Sequence, residues 1–343
     1  MPPLDPYPAR PRLQLGYFGA PGTPDLHLSV DGMTPKGPNL SHWPGNRTPA
    51  KWKQDLSTSI CFAFARADAA EQREFLGGAE VVLNDHYDTD GFGSLLCVLQ
   101  PETAFANEEL LLAAAATGDF GAWVTGRAFA IDRIVAKLAD VRSPVHAEFR
   151  SLSGAEKCLA RYRWLLAHAD DVLRAPKEFA PLFEDERAQI TAEIDAGRRG
   201  GLQRTILAEF GFSHVTTRTS VARMTINTLA GSWRVLHTIE GKDGPLHRYH
   251  DRTESWFELL TFRAPPRRDL RSLCARLAAM EPPHDGAQWC VDTPTEPIPE
   301  LYFGVPSQQA YGAITRELRP SRLPAKAVRA EFAAFFATPP NGG

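Results

Sequence analysis

Apolar and polar positions follow two rhythms along this chain. Over the first two hundred residues, short apolar runs are set between long amphipathic stretches. The run AEVVL (79–83) is short and β-branched, as buried strands are, and DLHLSV (25–30) suits another strand. Helical spacing marks TPAKWKQDLSTSICFAFARA (48–67), NEELLLAAAATGDF (107–120), GRAFAIDRIVAKLADV (126–141), AEKCLARYRWLLAHADDVL (155–173) and FEDERAQITAEIDAG (183–197). Thr48 is placed to cap the first of these, with Pro49 in its first turn. GRRGG (197–201) predicts a flexible break. Past residue 212, SVARMTINTL, SWRVLHTIEG, HRYHDRTESWFELLTF and QWCVDT alternate at strand period, EGKDGP (240–245) suits a hairpin turn, and RRDLRSLCARLAAM (267–280) suits a helix. The expected fold is α/β. A doubly wound parallel-sheet domain spans residues 1–200, and a smaller β-rich α+β domain spans 201–343.

Composition narrows the function classes. The chain has 343 residues, 43% of them hydrophobic and 23% charged, with a net charge of −3. That balance suits a soluble globular protein and argues against long nucleic acids as partners, since phosphate contacts need a basic track. Five scattered cysteines with no CxxC spacing suit reduced thiols. No apolar run approaches the roughly 20 residues that span a bilayer. The N-terminus lacks the basic-then-apolar order of a signal peptide. A cytoplasmic location, away from membranes, is the expectation.

One turn changes this picture. In VVLNDHYDTDGFGSLLCVL (81–99), a His, three Asp and two Gly stand between apolar runs. Open α/β sheets bind ligands where a strand ends and a helix begins. His86, Asp88 and Asp90 alternate, so an extended backbone turns them to one side. Imidazole with carboxylates suits Mn²⁺, Fe²⁺ or Zn²⁺, and a cation relieves the repulsion among the acids. Gly91 and Gly93 would let the backbone turn, and Ser94 would stand near a helix N-terminus that favours anions. These side chains should serve the site rather than the core. An EF-hand would need Glu where Cys97 stands, and a haloacid-dehalogenase-type DxDG would follow its strand directly. A solvated turn that caps the next helix is the plain alternative.

The segment HYDTDGFGS is similar to the first motif of the DHH phosphoesterase superfamily, which includes RecJ-like nucleases and nano-RNA oligoribonucleases. The resemblance implies a doubly wound domain with two Mn²⁺ ions, a metal-bound hydroxide that attacks phosphorus, and a smaller C-terminal substrate domain. It assigns His86, Asp88 and Asp90 as ligands, with Asp88 and Asp90 the catalytic carboxylates. Neither an Asp-His-His tripeptide nor a Gly-Gly-Gly-His segment occurs in this chain, so the remaining ligands come from other contexts.

Further candidates follow from local chemistry. Asp119 ends an Ala-rich helix, where a carboxylate is poorly placed on dipole grounds, so it is a candidate ligand. His42 and Asp85 are additional candidates. In the β-rich half, Arg248 and His250 share a strand face that suits a phosphate or carboxylate. Ser94, Arg248 and His250 are therefore the candidate substrate contacts. The expected activity is a metal-dependent phosphoesterase acting on a small phosphorylated substrate or a short oligonucleotide. A metal-dependent biosynthetic or accessory enzyme, or a binding protein that lost ligands, are the alternatives.

Overall fold

In the computed structural model, residues 11–282, 286–310 and 313–339 are described. The chain divides into two units. The first takes Met1–Asp119, Trp123–Arg187 and Phe257–Phe262, and the second takes Phe120–Ala122, Ala188–Trp256 and Arg263–Gly343. The division between Arg187 and Ala188 falls in the first half of a helix, short of the residue 200 expected from the sequence. Together they make a mixed α/β protein with one parallel and one mixed sheet.

The first unit is built on four very short strands: β1 (Gln14–Leu15), β2 (Leu28–Val30), β3 (Asn39–Leu40) and β4 (Val81–Leu83). They pair in the order β1-β4-β2-β3, all parallel, so their carboxyl ends share one edge. Val30, Leu40, Val82 and Leu83 are fully buried, which explains why these strands are continuous apolar runs. Helices α1 (Ser57–Arg66), α2 (Ala69–Leu76), α3 (Thr89–Leu99), α4 (Pro101–Ala106), α5 (Glu108–Asp119), α6 (Gly126–Ala139), α7 (Gly154–Ala167) and α8 (Ala169–Arg174) complete it. Ile60, Cys61 and Phe62 of α1 and Phe92, Leu95 and Leu96 of α3 have almost no exposure. The helix expected over 48–67 is split instead. Ala50–Trp52 form one tight turn, and α1 starts at Ser57. Gly93 does not turn the backbone. It lies inside α3, where a Cβ would come within 2.3 Å of Thr58 Oγ1 on α1.

Helix α9 (Glu184–Ala196) runs from one unit into the other, and Gly197–Gly201 extend it as a wide turn with Gly200 at φ 96°. The second unit carries β5 (Gln203–Leu207), β6 (Phe212–Thr217), α10 (Arg223–Ala230), β7 (Arg234–Gly241), β8 (Gly244–Asp251), α11 (Arg271–Met280), β9 (Gln288–Val291), β10 (Glu300–Ala310), β11 (Ala313–Leu318) and α12 (Ala325–Ala337). The sheet order is β11-β10-β8-β7-β6-β5, with β9 also paired to β10. β7 and β8 form the expected hairpin, closing at Gly241 opposite Gly244. The strand expected over 220–229 is a helix, α10, because Ile226 and Ala230 bury one helical side against Val215 and Val235. On the opposite face, Leu273 and Leu277 of α11 and Phe332 and Phe336 of α12 cover Phe212, Leu236 and Tyr249. Residues 257–262, read as part of a strand, lie outside the sheet and belong to the first unit. Among the described residues no helix is long and apolar enough to cross a membrane.

Candidate metal centre

Three consecutive strand positions deliver polar groups to the carboxyl edge of the first unit's sheet. Asp31 follows β2 directly, Ser41 and His42 follow β3, and Asn84, Asp85 and His86 follow β4. Asp31 adopts φ 63°, the left-handed region that Asp tolerates better than most side chains. Its N–H donates to Leu40 O at 2.9 Å. A Cβ on Gly32 would lie 1.7 Å from Asp85 Oδ1, so only glycine lets the two turns meet. His42 is held on both sides. Its Nδ1 donates to Asp55 O at 2.7 Å, and its ring stacks on Phe257 with centroids 3.9 Å apart. That bond fixes the tautomer and leaves Nε2 bare, as a metal ligand requires.

The acidic turn is set by two buried side chains. Asn84 Oδ1 accepts from the N–H groups of Gly32 and Asp85, at 3.2 and 2.8 Å. Asn84 Nδ2 donates to Asp31 Oδ2 and to the Tyr162 hydroxyl, each at 3.3 Å. Tyr162, from α7, donates to His86 O at 3.0 Å and accepts from Asp88 N at 3.3 Å. A Cβ on Gly91 would come within 2.3 Å of both Asn84 Nδ2 and that hydroxyl, so the clamp also needs glycine.

Asp88 and Asp90 each combine a structural and a chemical position. Asp88 caps α3, with Oδ1 accepting from Gly91 N at 2.8 Å, while Oδ2 lies 3.0 Å from His86 Nε2. Asp90 is fully buried. Its oxygens accept from Ser57 N at 2.8 Å and Thr58 N at 2.7 Å, which caps α1. The expectation that Asp90 serves only the site is corrected by these bonds, because its removal would strip the first turn of a core helix.

The groups converge. Asp31, His86 and Asp88 offer ligand atoms within 4.8 Å of one another, and so do Asp31, His42 and Asp90. Asp31 belongs to both sets. Asp119, at the end of α5, adds Oδ2 at 3.3 Å from His42 Nε2. His86 Nε2 stands 2.8 Å from Asp31 Oδ2, and its Nδ1 lies 3.0 Å from Asp85 Oδ1. Trp43 lies beside the His86 ring, with centroids 4.6 Å apart.

Electrostatics follow from crowding. Burial, then the Asp88 charge, pushes Asp31 well above the ordinary carboxylate value. Burial and then Asp90 do the same to Asp119. Burial alone would lower His86, but the carboxylates of Asp88 and Asp31 outweigh it and hold the imidazole well above its usual value. Burial likewise opposes the charged form of Asp88, yet His86 brings it down to about 2. In His42 burial wins over the pull of Asp90, and the ring is lowered. Asp31 Oδ1 and His42 Nε2 are buried with no hydrogen-bond partner among the described residues. Unpaired donor atoms of ligand type are costly in a dry interior, and a divalent cation satisfies both at once. The residues present fit such an ion.

Of the residues singled out from sequence, His42, Asp85, His86, Asp88, Asp90 and Asp119 gather here. Ser94 is fully buried within α3 and belongs to neither ligand group. Arg248 and His250 lie on β8 in the second unit. Arg248 holds Glu300 through Nε and Nη2, at 2.6 and 2.7 Å, and His250 Nε2 is 2.8 Å from Asn227 Oδ1. His250 is buried and, chiefly for that reason, held well below the usual histidine value, so it stays neutral. Asp31, Asn84 and Tyr162 escaped the sequence reading. The signal for Asp31 was present, since SVDG places an acid directly after an apolar strand, at the edge where His86 was sought.

No curated protein and no solved structure matches the chain. One family model does, over residues 20–342, so every element of the site lies within the match and the chain belongs to the family of unknown function DUF6687.

Proposed function

We propose that the acidic pocket holds two divalent cations, Mn²⁺ foremost, and that the protein is a metal-dependent phosphoesterase. The observation that carries this reading is Asp31, one carboxylate common to two ligand sets, with its Oδ1 unpaired beside an equally unpaired His42 Nε2. His86 and Asp88 complete one set, and His42 with Asp90 completes the other, joined by Asp119. Asp85 would hold His86 through Nδ1, as carboxylates hold metal-bound histidines elsewhere. Cations bound there supply Lewis acidity and bring the pKa of water from 15.7 towards roughly 7. The similarity of HYDTDGFGS to the first DHH motif supports the same reading, with Asp31 and His42 taking places that the missing motifs would fill. A doubly wound arrangement of the first unit belongs to this proposal too. The substrate is a small phosphorylated compound or a short oligonucleotide.

The test is to load chelator-treated protein with Mn²⁺, count bound metal by elemental analysis, and screen phosphomonoesters, phosphodiesters and dinucleotides. Two cations per chain with turnover of at least one class is the expected result. Failure to retain metal, or two retained cations with no turnover of any class, would remove the phosphoesterase reading.

A further inference from the structure

The second unit contains a charge cluster of the opposite sign. Glu300, at the start of β10, is fully buried, and three guanidinium groups surround it. Arg248 of β8 grips it with two parallel bonds, Nε to Oε2 at 2.6 Å and Nη2 to Oε1 at 2.7 Å. Arg223, the first residue of α10, places Nη2 on the same Oε1. Arg316 of β11 brings Nε to 3.6 Å from Oε2 and engages Asp292 through Nη2. Sheet register explains the meeting: Glu300 stands opposite His250, and Tyr302 opposite Arg248, in the β8–β10 ladder.

Three cations thus face two carboxylates, Glu300 and Asp292. A purely structural ion pair would need one guanidinium per carboxylate. Among the described residues a full positive charge is left over, and donors are left with it. Arg248 engages Glu300 with Nε and Nη2, so its Nη1 is not used in that grip. Arg223 contacts it through Nη2 alone. Arg316 Nε is buried and without a hydrogen-bond partner among the described residues. The side chains of Arg223 and Arg248 are each 31% exposed, so a small ion in solvent can reach them. Burial, followed by the repulsion of Arg248, already pulls Arg223 below its ordinary value although Glu300 attracts it. Crowded like charges of this kind are relieved by an anion.

We propose that Arg223, Arg248 and Arg316 form an oxyanion site that takes a terminal phosphoryl group, as free phosphate or as a phosphomonoester. A tetrahedral dianion presents three terminal oxygens to donors arriving from three elements, α10, β8 and β11. A carboxylate offers two oxygens in one plane and half the charge. Glu300 keeps the guanidinium planes oriented while the site is empty, which lowers the ordering cost of binding. His237, buried and lowered to about 4, and neutral His250 add no competing charge. The site does not rest on the metal centre, because all its groups lie in the second unit.

The experiment is a titration of the full-length, chelator-treated protein with inorganic phosphate and, separately, with glycerol phosphate, followed by calorimetry at constant ionic strength. Saturable binding of both, with acetate and chloride inert, is the expected result. Preference for one phosphate form identifies the source of the group. Arg223→Gln removes one of the contacts to Glu300 but leaves the two-bond Arg248–Glu300 grip in place, so the buried carboxylate keeps a guanidinium partner. It should weaken phosphate binding at least tenfold with no change in thermal midpoint beyond a few degrees. Arg223→Lys keeps the charge and loses the fork, and should recover only part of the affinity. Absence of saturable phosphate binding to the wild-type protein, or equal affinity in Arg223→Gln, overturns the proposal. Because metal is removed throughout, either result leaves the phosphoesterase reading to its own test.

Discussion

The two units crowd buried charge of opposite sign, and they balance it differently. At the sheet edge of the first unit, Asp31, Asp85, Asp88, Asp90 and Asp119 meet only two imidazoles, of which burial keeps His42 lowered. Among the described residues no Lys or Arg pairs with Asp31, Asp85, Asp88 or Asp90. Around Glu300 in the second unit, each carboxylate is answered by a guanidinium, and one cation remains over. The lesson is one of degree. A chain that supplies most of its own counter-charge builds a rigid cluster with a modest appetite for a ligand. A unit that supplies almost none leaves ligand atoms such as Asp31 Oδ1 and His42 Nε2 without a hydrogen-bond partner among the described residues, the arrangement that the proposed cations would satisfy.

The sharpest way to break this comparison is Asp31→Ala. If Asp31 serves both ligand sets, its loss should empty both at once, and metal content should fall from two cations per chain to none at micromolar Mn²⁺. Circular dichroism should show the fold retained, since the Asp31 side chain caps no helix. One cation kept at full occupancy would mean that Asp31 does not bridge, and the two sets would then be separate sites.

Acid and base should act on the metal-free units in opposite senses. His214 and His237 in the second unit are lowered from 6.5 to about 4, chiefly by burial. A depressed pKa means the unfolded chain binds protons first, so stability is present above pH 6.5 and lost as pH falls through about 4. Each histidine accounts for on the order of 3 kcal/mol at 1.36 kcal/mol per pKa unit. In the first unit Asp31, Asp119 and His86 are raised, so their contribution is present at low pH and is lost as pH rises through their folded values. His42 opposes that trend and Asp88 joins the opposition only below pH 4. Hydrogen exchange resolved by peptide, corrected for intrinsic rates and run in chelator from pH 4.5 to 8, should show protection falling with pH in the first unit and rising in the second. Parallel trends in both units would refute the charge assignments.

How much of this was legible beforehand depends on the range of the interaction. The β4–α3 turn was readable because His86, Asp88 and Asp90 sit within five residues, and local alternation is enough to group them. Asp31 and His42 reach the same place only because β2 and β3 pair in parallel beside β4, a non-local fact that strands of two or three residues barely announce. The double use of Asp88 and Asp90 was equally hidden. A carboxylate that caps a helix and one that faces a cation look alike in sequence, and here the side chains that cap helices also stand in the groups that could hold an ion. In the second unit strand alternation placed Arg248 and His250 on one face, but it could not show that Glu300, fifty residues later, would claim the arginine. The helix α10 was misread because its apolar residues fit either period over so short a stretch.

A smaller effect is expected at Asp85, which touches His86 Nδ1 and belongs to neither ligand set. Asp85→Asn keeps an acceptor oxygen but removes the charge that makes the imidazole a better donor to metal. Carboxylates in that position are worth 10- to 100-fold in affinity. Competition with a chromogenic chelator should show weakening in that range for one cation, with the second unaffected. Equal weakening of both would place Asp85 among the ligands themselves.

The finest test of the first unit is Tyr162→Phe. The hydroxyl touches Asn84, His86 O and Asp88 N together, and the ring is fully buried against Tyr17 and Tyr87. Phenylalanine keeps the packing, so no cavity opens and the core contribution is preserved. What is lost is one donor and its acceptances, leaving His86 O, Asn84 Nδ2 and Asp88 N each short of a partner. A stability loss of about 1 kcal/mol is expected from hydrogen bonds of this kind. The larger signature should be in the metal site, where the turn from Asn84 to Asp88 would no longer be fixed at its centre. Mn²⁺ affinity should fall a few-fold while cation number stays at two. If affinity were untouched and only stability changed, Tyr162 would be a core residue that happens to lie beneath the site. If cation number itself dropped, the turn would owe its shape to this hydroxyl more than to the Asn84 bonds with Gly32 and Asp85.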